Sequence, residues 1–242
     1  MLKGTMSAEG ELTVDKETPG QFGNVTATVN GLTAKCRVRV APRIPYEQDF
    51  SKIPLERTPA GWINAMGKFA VQEHGGRKVL AKLPTSASPL VARAYAYIGL
   101  PTFTDYTIES EMMSTEGGAK LPDMGVLANR YTMLLDGNKQ LARLYSWDAV
   151  SRIEKNVPFP WKANVWYRLK LTVTVDGDKA QVRGKVWDGK VKEPAEWTLE
   201  FEDSIGNKEG SPALYANIMD TLIAGQKTQV LFGNVKVTPN KK

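Results

Sequence analysis

The side chains best suited to chemistry in this chain are carboxylates, arginines and aromatics. Glu109 and Glu111 stand two apart in TIESEMM, a spacing that puts both on one face of a strand with Cα atoms roughly 6.5–7 Å apart. Two carboxylates at about that separation are the minimum equipment for glycoside cleavage, one as acid and one as nucleophile or base. Glu200 and Glu202 in TLEFED repeat the spacing on a strand that Trp197, Leu199 and Phe201 mark as half-buried. Aromatics point to the same ligand class, because a sugar ring has an apolar C–H face that stacks on an indole or phenol while its hydroxyls seek polar edges. By strand parity Trp166 and Trp187 face away from a core, with Arg168, Lys170, Arg183 and Lys185 alongside. That basic, aromatic patch suits an acidic or neutral glycan, or the docking of another part of the chain. Tyr145, Trp147 and Trp161, near the WDAV and PFPWKAN loops, form a second candidate cluster.

Other chemistries are poorly served. The chain has one histidine, His74, set in the glycine-rich turn EHGGRK, so Ser-His-Asp, Cys-His and multi-histidine metal sites lack their imidazoles. Cys36 is the only cysteine; it excludes an intrachain disulfide and reads as a half-buried thiol in the alternating run LTAKCRVRV. No catalytic residue or cofactor is therefore assigned, with Glu109 and Glu111 as the candidates if cleavage occurs. Asp136, Asn138, Asp176 and Asp178 lie in hairpin turns where Asp and Asn are expected for backbone reasons; a structural calcium ion has no D-x-D-x-D-G loop to localise it.

The net charge is +6 over 242 residues, but it does not form one basic face. Residues 162–192 are rich in Lys and Arg, whereas 193–220 are acidic with Lys208 as the lone base, an alternation that argues against nucleic acid as the partner. No stretch approaches the roughly 18 apolar residues of a membrane helix, and the start of the sequence lacks a signal-peptide pattern. Membrane insertion is not expected.

The elements that must position these side chains are strands. In VWYRLKLTVTV, residues 165–175, Val165, Tyr167, Leu169, Leu171, Val173 and Val175 alternate with polar positions, the period of a strand with one buried face. It leads through Asp176-Gly177, read as a two-residue turn, into KAQVRGKVW. That turn sets Trp166 opposite Trp187; a register shifted by two sets Arg168 against Trp187. MGVLANRYTMLL turns at Asp136-Gly137 into KQLARLYSW, and FTDYTIESEMM, TLEFED, ALYANIM and TQVLFGNVKV supply further strands. No window has a capped 3.6-residue apolar period. The expected fold is all-β, a two-sheet antiparallel jelly-roll sandwich over residues 48–240. Pro42 and Pro45 mark a linker over 42–47, preceded over 1–41 by three short strands that are too few for an independent sandwich.

These strand-and-turn patterns resemble known families. GELTVDKETPGQFGNVTATVNGLTAKCRVRVAP resembles the C-terminal half of a bacterial immunoglobulin-like domain. YEQDF, GKFAVQEHGGRKVL, FTDYTIESEMM, MGVLANRY and VLFGNVKVTP resemble a concanavalin A-like, laminin-G-like jelly roll of the group that includes 3-keto-disaccharide hydrolase-type domains. The combination is similar to the C-terminal region of secreted bacterial proteins with a quinoprotein-type β-propeller upstream, which implies an extracellular or periplasmic location. DMGVLANRY matches a segment resembling NSGIxxR that lines the concave sheet of hydrolase-like relatives; Gly125 and Arg130 are retained, the small polar pair is replaced by Asp123-Met124, and Arg130 becomes a candidate ligand contact. The first functional reading is a non-catalytic accessory module for carbohydrate or cell-surface recognition. The alternatives are a carbohydrate-active hydrolase or lyase using concave-face carboxylates, and a spacer that docks other domains.

Overall fold

The computed structural model describes residues 2–15, 20–84, 86–115, 120–146 and 151–240. At the N-terminal side β1 (Gly4–Met6) pairs with β2 (Leu12–Val14), and β3 (Gln21–Val29) with β4 (Leu32–Val40). There follow β5 (Tyr46–Gln48), β6 (Phe69–His74), β7 (Arg77–Lys82), the one-turn helix α1 (Pro89–Ala92), β8 (Arg93–Tyr97), β9 (Tyr106–Ser114), β10 (Asp123–Ala128) and β11 (Tyr131–Asp136). Then come β12 (Leu141–Tyr145), β13 (Glu154–Pro158), β14 (Tyr167–Asp176), β15 (Lys179–Asp188), β16 (Leu199–Asp203), β17 (Ala213–Asn217), the short helix α2 (Met219–Ile223) and β18 (Val230–Pro239). One sheet has the order β13-β12-β11-β10-β17-β8, the other β16-β15-β14-β9-β18-β7-β6 with β5 also on β18. The fold is the all-β, two-sheet antiparallel sandwich that the alternation implies.

The core lies between the sheets. Ile108, Met112, Leu169, Leu171, Val173, Val182 and Phe232 come from the larger sheet and Ala94, Ala96, Val126, Met133, Leu135, Leu144 and Leu214 from the six-stranded one. Gly184 on β15 leaves the space that the Met133 side chain fills, since a Cβ there would collide with its sulfur. Burying one face of each strand fixes the register, because a one-residue slip would bring the charged set inward. Asp203 and Lys82 nonetheless take inward positions: Asp203 accepts from Tyr131 at 2.7 Å, and Lys82 is buried beside Phe69, its Nζ donating to Leu83 O at 2.9 Å and its pKa lowered by burial to about 8.

Two turns differ from the sequence reading. Asp176 pairs with Lys179, so the turn residues are Gly177 and Asp178, and Arg168 stands opposite Trp187. The run MGVLANRYTMLL is broken at Asn129-Arg130, both with positive φ (44° and 65°), while Ala128 pairs with Tyr131. This is the two-residue hairpin geometry in which both central residues are left-handed. Arg130 occupies the position that usually carries glycine, and the buried residues on both sides had hidden the break.

At the other end, Gly20 and Gly61 approach closely, where a Cβ on either would collide with backbone. The β3–β4 hairpin therefore leans on residues 58–66. Cys36, expected half-buried, is exposed, as are most residues of β3 and β4. β5 begins at Tyr46, inside the segment read as linker, and pairs with β18.

Tyr106 ties the two sheets together. Its hydroxyl, buried in the core, donates to Gly210 O at 2.7 Å and accepts from Asn129 N at 3.0 Å. Tyr106→Phe is expected to lower stability by about 1–3 kcal/mol, the cost of leaving buried backbone polar groups unpaired, as read by urea unfolding. A loss under about 0.5 kcal/mol would mean that water replaces the hydroxyl.

Candidate functional site

The outward face of the six-stranded sheet is aromatic. Ala94, Ala96, Leu214 and Val126 point into the core, so the alternating positions point out: one row runs Tyr95, Tyr215, Gly125, Leu134, Arg143 and the next Tyr97, Ala213, Leu127, Thr132, Tyr145. The Tyr95 and Tyr97 rings stack at 5.7 Å and 20°, and the Tyr95 and Tyr215 rings lie 4.9 Å apart at 47°. Tyr95 and Tyr97 are half-exposed, while Tyr215, Leu134 and Tyr145 form a buried cluster beside them. Gly125 lets β10 and β11 close tightly, for a Cβ would strike the Met133 carbonyl and Leu134.

Arg130 completes this site. Tyr106 holds the Asn129 N–H from below, and Gly210 packs on the turn so closely that its own Cβ would lie 2.9 Å from Asn129 Cα. The exposed Arg130 is thus fixed at the mouth of a recess of about 270 Å³, lined with Tyr95, Tyr97, Pro101, Leu127 and Ser211. The Thr132 hydroxyl, on the row just described, is buried and has no hydrogen-bond partner. Stacked phenols, an arginine on a backbone-anchored turn and an apolar floor can hold a small amphipathic ring with polar substituents.

Asp123 lies one row further along. Its Oδ1 accepts from Gly137 N at 3.0 Å and its Oδ2 from Asn217 Nδ2 at 3.2 Å. Burial, reinforced by the neighbouring Asp136 charge, raises its pKa to about 6. Arg143 Nη1 reaches Asp136 at 3.2 Å and its Nη2 reaches Glu154 at 2.8 Å. With both oxygens of Asp123 accepting hydrogen bonds from the fold, this carboxyl clamps the β11–β12 turn to β17.

The outward face of the larger sheet is a groove of about 790 Å³ floored by charged side chains. Glu109 and Glu111 share this face, as their spacing implies, but both are paired. Glu111 meets Arg77 at 2.7 Å, Arg168 at 2.9 Å and Asn234 Nδ2 at 2.9 Å. Burial opposes its charge, but the Arg77 and Asn234 hydrogen bonds and the two guanidinium charges outweigh it and hold its pKa below the usual carboxylate range. Glu109 lies 3.2 Å from Lys170 and 4.0 Å from Arg168. Glu111, held ionised in this way, is unsuited to supply the proton that glycoside cleavage needs.

The aromatic candidates divide between the two faces and the interior. Trp166 packs outside the larger sheet on Val79, Ala81, Met113 and Leu231, with Arg77 4.2 Å above its ring. Trp187 takes the outward parity but is buried, 5% exposed. Trp161 is a core residue, its Nε1 on Asp136 O at 3.3 Å and its ring edge-on to Tyr167. Tyr145 belongs to the tyrosine face, under Arg143, and Trp147 lies outside the described residues. Tyr95, Tyr97 and Trp197 were missed. RAYAY carries the period-2 signal that puts both tyrosines on one face; Trp197 shares the parity of Leu199 but precedes β16, and it turns into the groove, which parity alone does not show. Among the described residues no three His, Cys, Asp or Glu side chains group to hold a metal ion, and no helix is long and apolar enough to cross a membrane.

No family model and no curated protein matches this chain. Among solved structures it is similar to the carbohydrate recognition domain of Emp47p, at 12% identity and TM-score 0.51 over 82% of this chain and 97% of that one. A bifunctional GH43-CE protein of Bacteroides eggerthii gives 12% and 0.53, covering 99% of this chain and 35% of that one. The Xyloglucan PUL GH43B of Bacteroides ovatus gives 13% and 0.50, with coverages of 98% and 46%. The chain thus spans about a third and just under half of those two proteins. At such identities the likeness shows the fold alone: a two-sheet antiparallel jelly-roll β-sandwich.

The raised pKa of Asp123 has a signed consequence. Between its unfolded value near 4 and its folded value of about 6, the folded chain keeps a proton that the unfolded chain has lost, so its contribution to stability falls as pH rises through that window. Asp123→Asn removes the titrating group, and with it one acceptor for the Asn217 amide, so its stability relative to the wild type is expected to rise by about 1–3 kcal/mol between pH 3.5 and pH 7. Urea midpoints measured across that range check it, and a difference from the wild type that is the same at both pH values would contradict the raised pKa.

Proposed function

We propose that this chain is a carbohydrate-recognition module that binds a glycan on the tyrosine face without cleaving it. The observation that carries the reading is the pair of stacked, half-exposed rings of Tyr95 and Tyr97 beside the fixed Arg130 at the mouth of an apolar recess. A pyranose can lay its C–H face on such rings and turn its hydroxyls to Arg130 and Ser211. Binding without turnover is favoured by the state of the acids. Glu109 and Glu111 sit in ion pairs, and both oxygens of Asp123 accept hydrogen bonds from the fold. The fold is shared with a carbohydrate recognition domain and with parts of two GH43 proteins, which suits this reading without selecting a glycan.

A neutral-glycan array followed by titration calorimetry tests it. Tyr97→Ala is expected to weaken binding by about tenfold or more, the loss of one stacking ring. Arg130→Gly should weaken binding while leaving stability unchanged or raised, because glycine relieves the left-handed backbone at that position. Glycan binding indifferent to both substitutions would remove the tyrosine face from the reading. Turnover of a chromogenic glycoside that Glu109→Gln or Glu111→Gln abolishes would replace recognition with hydrolysis.

A further inference from the structure

We propose that the groove on the larger sheet holds a second, separate site: the corner formed by Lys170, Lys185 and Trp197 takes the carboxylate of a uronate-bearing glycan, and Glu193 fills that corner as a stand-in. This rests on the carbohydrate-recognition reading but uses the opposite face of the sandwich.

Lys170 and Lys185 are directly opposed across β14 and β15, and like charges in that relation repel unless an anion lies between them. Lys185 cannot escape to water, with only 7% of its side chain exposed, and Lys170 retains 20%. Glu109 also lies 3.2 Å from Lys170, and Lys185 donates to Pro194 O at 2.8 Å, but the carboxylate that meets both lysines is that of Glu193, 2.7 Å from Lys170 and 2.8 Å from Lys185. It comes from the loop between β15 and β16 and is itself 38% exposed. One buried and one half-buried ammonium group are therefore built into the sheet, while the counter-charge they share hangs from a loop and is the replaceable member.

The surroundings suit a sugar that carries the incoming carboxylate. Lys185 Nζ lies 4.5 Å from the Trp197 ring centroid and Arg183 5.1 Å from it, and the buried Arg183 Nε has no hydrogen-bond partner. A pyranose whose carboxylate takes the place of Glu193 lies beside that indole, with Thr107, Thr172 and Thr238 further along the groove for its hydroxyls. A dense polyanion is disfavoured, because Glu47, Asp49, Glu109 and Glu111 line the same groove. A neutral sugar cannot replace the charge that the two lysines need.

The test is calorimetry at low ionic strength with tetragalacturonic acid, its methyl ester and a sulfated disaccharide. Glu193→Gln should tighten binding of the acid by about three- to tenfold, as the competing ion pairs are removed, and leave the ester unaffected. Trp197→Ala and Lys170→Met should each abolish that gain when introduced with Glu193→Gln; both positions are more exposed than Lys185, and circular dichroism checks that each variant folds. An acid affinity unchanged or lowered by Glu193→Gln, equal binding of the ester, or stronger binding of the sulfated sugar each overturns the proposal. Tyr97→Ala separates the two readings: neutral glycans that respond to it while the acid ignores Glu193→Gln sink this inference alone. An acid response to Glu193→Gln, with every neutral glycan indifferent to Tyr97→Ala, sinks the tyrosine face alone.

Discussion

One hydroxyl in the middle of the sandwich holds the candidate site in place. Tyr106 rises from β9 of the larger sheet, crosses the core and satisfies both the Asn129 N–H of the hairpin turn and the Gly210 carbonyl of the loop packed on it. Buried backbone groups must find partners, and here two segments far apart in sequence share one. That shared partner holds the backbone of the turn in which an arginine takes a left-handed position beside the tyrosine row. The recess exists because a turn and a loop cannot move independently of the core beneath them.

The two outward faces deal with water differently. On the six-stranded sheet tyrosines lie over one another, and their polarity sits at the ring edges. On the larger sheet, acids and bases from neighbouring strands form a lattice in which Glu111 serves Arg77 and Arg168, and Glu193 serves two lysines. The excess positive charge of the chain is broken up within this lattice, as the alternating basic and acidic segments of the sequence suggest. Such pairs neutralise the very carboxylates whose spacing looked catalytic.

Much of this was legible in the residues. The alternation in VWYRLKLTVTV and FTDYTIESEMM gave the strands and their faces, because burying one side of a sheet forces a period of two. The break at Asn129-Arg130 was not legible: its flanks are buried on both faces, so the alternation that would mark a turn is missing, and arginine is a rare occupant of the position. Register was ambiguous by two residues for a similar reason, since Asp176-Gly177 and Gly177-Asp178 both make acceptable turns. Trp161 and Trp197 show the limit of parity outside strands. The first is drawn into the core by its hydrogen bond to Asp136, and the second turns outward, although the strand it leads into would point it inward.

The position of β18 also bears on how the molecule comes into being. It runs through the larger sheet between β9 and β7 and pairs as well with β5, the first strand of the sandwich. Until those late residues leave the ribosome, β9 and β7 have no common neighbour and each presents an open edge. Assembly of this sheet must wait for the strand that follows all its other strands in the chain, as expected of a topology dominated by distant contacts. Until then the nascent chain depends on holding its edges apart from those of other molecules.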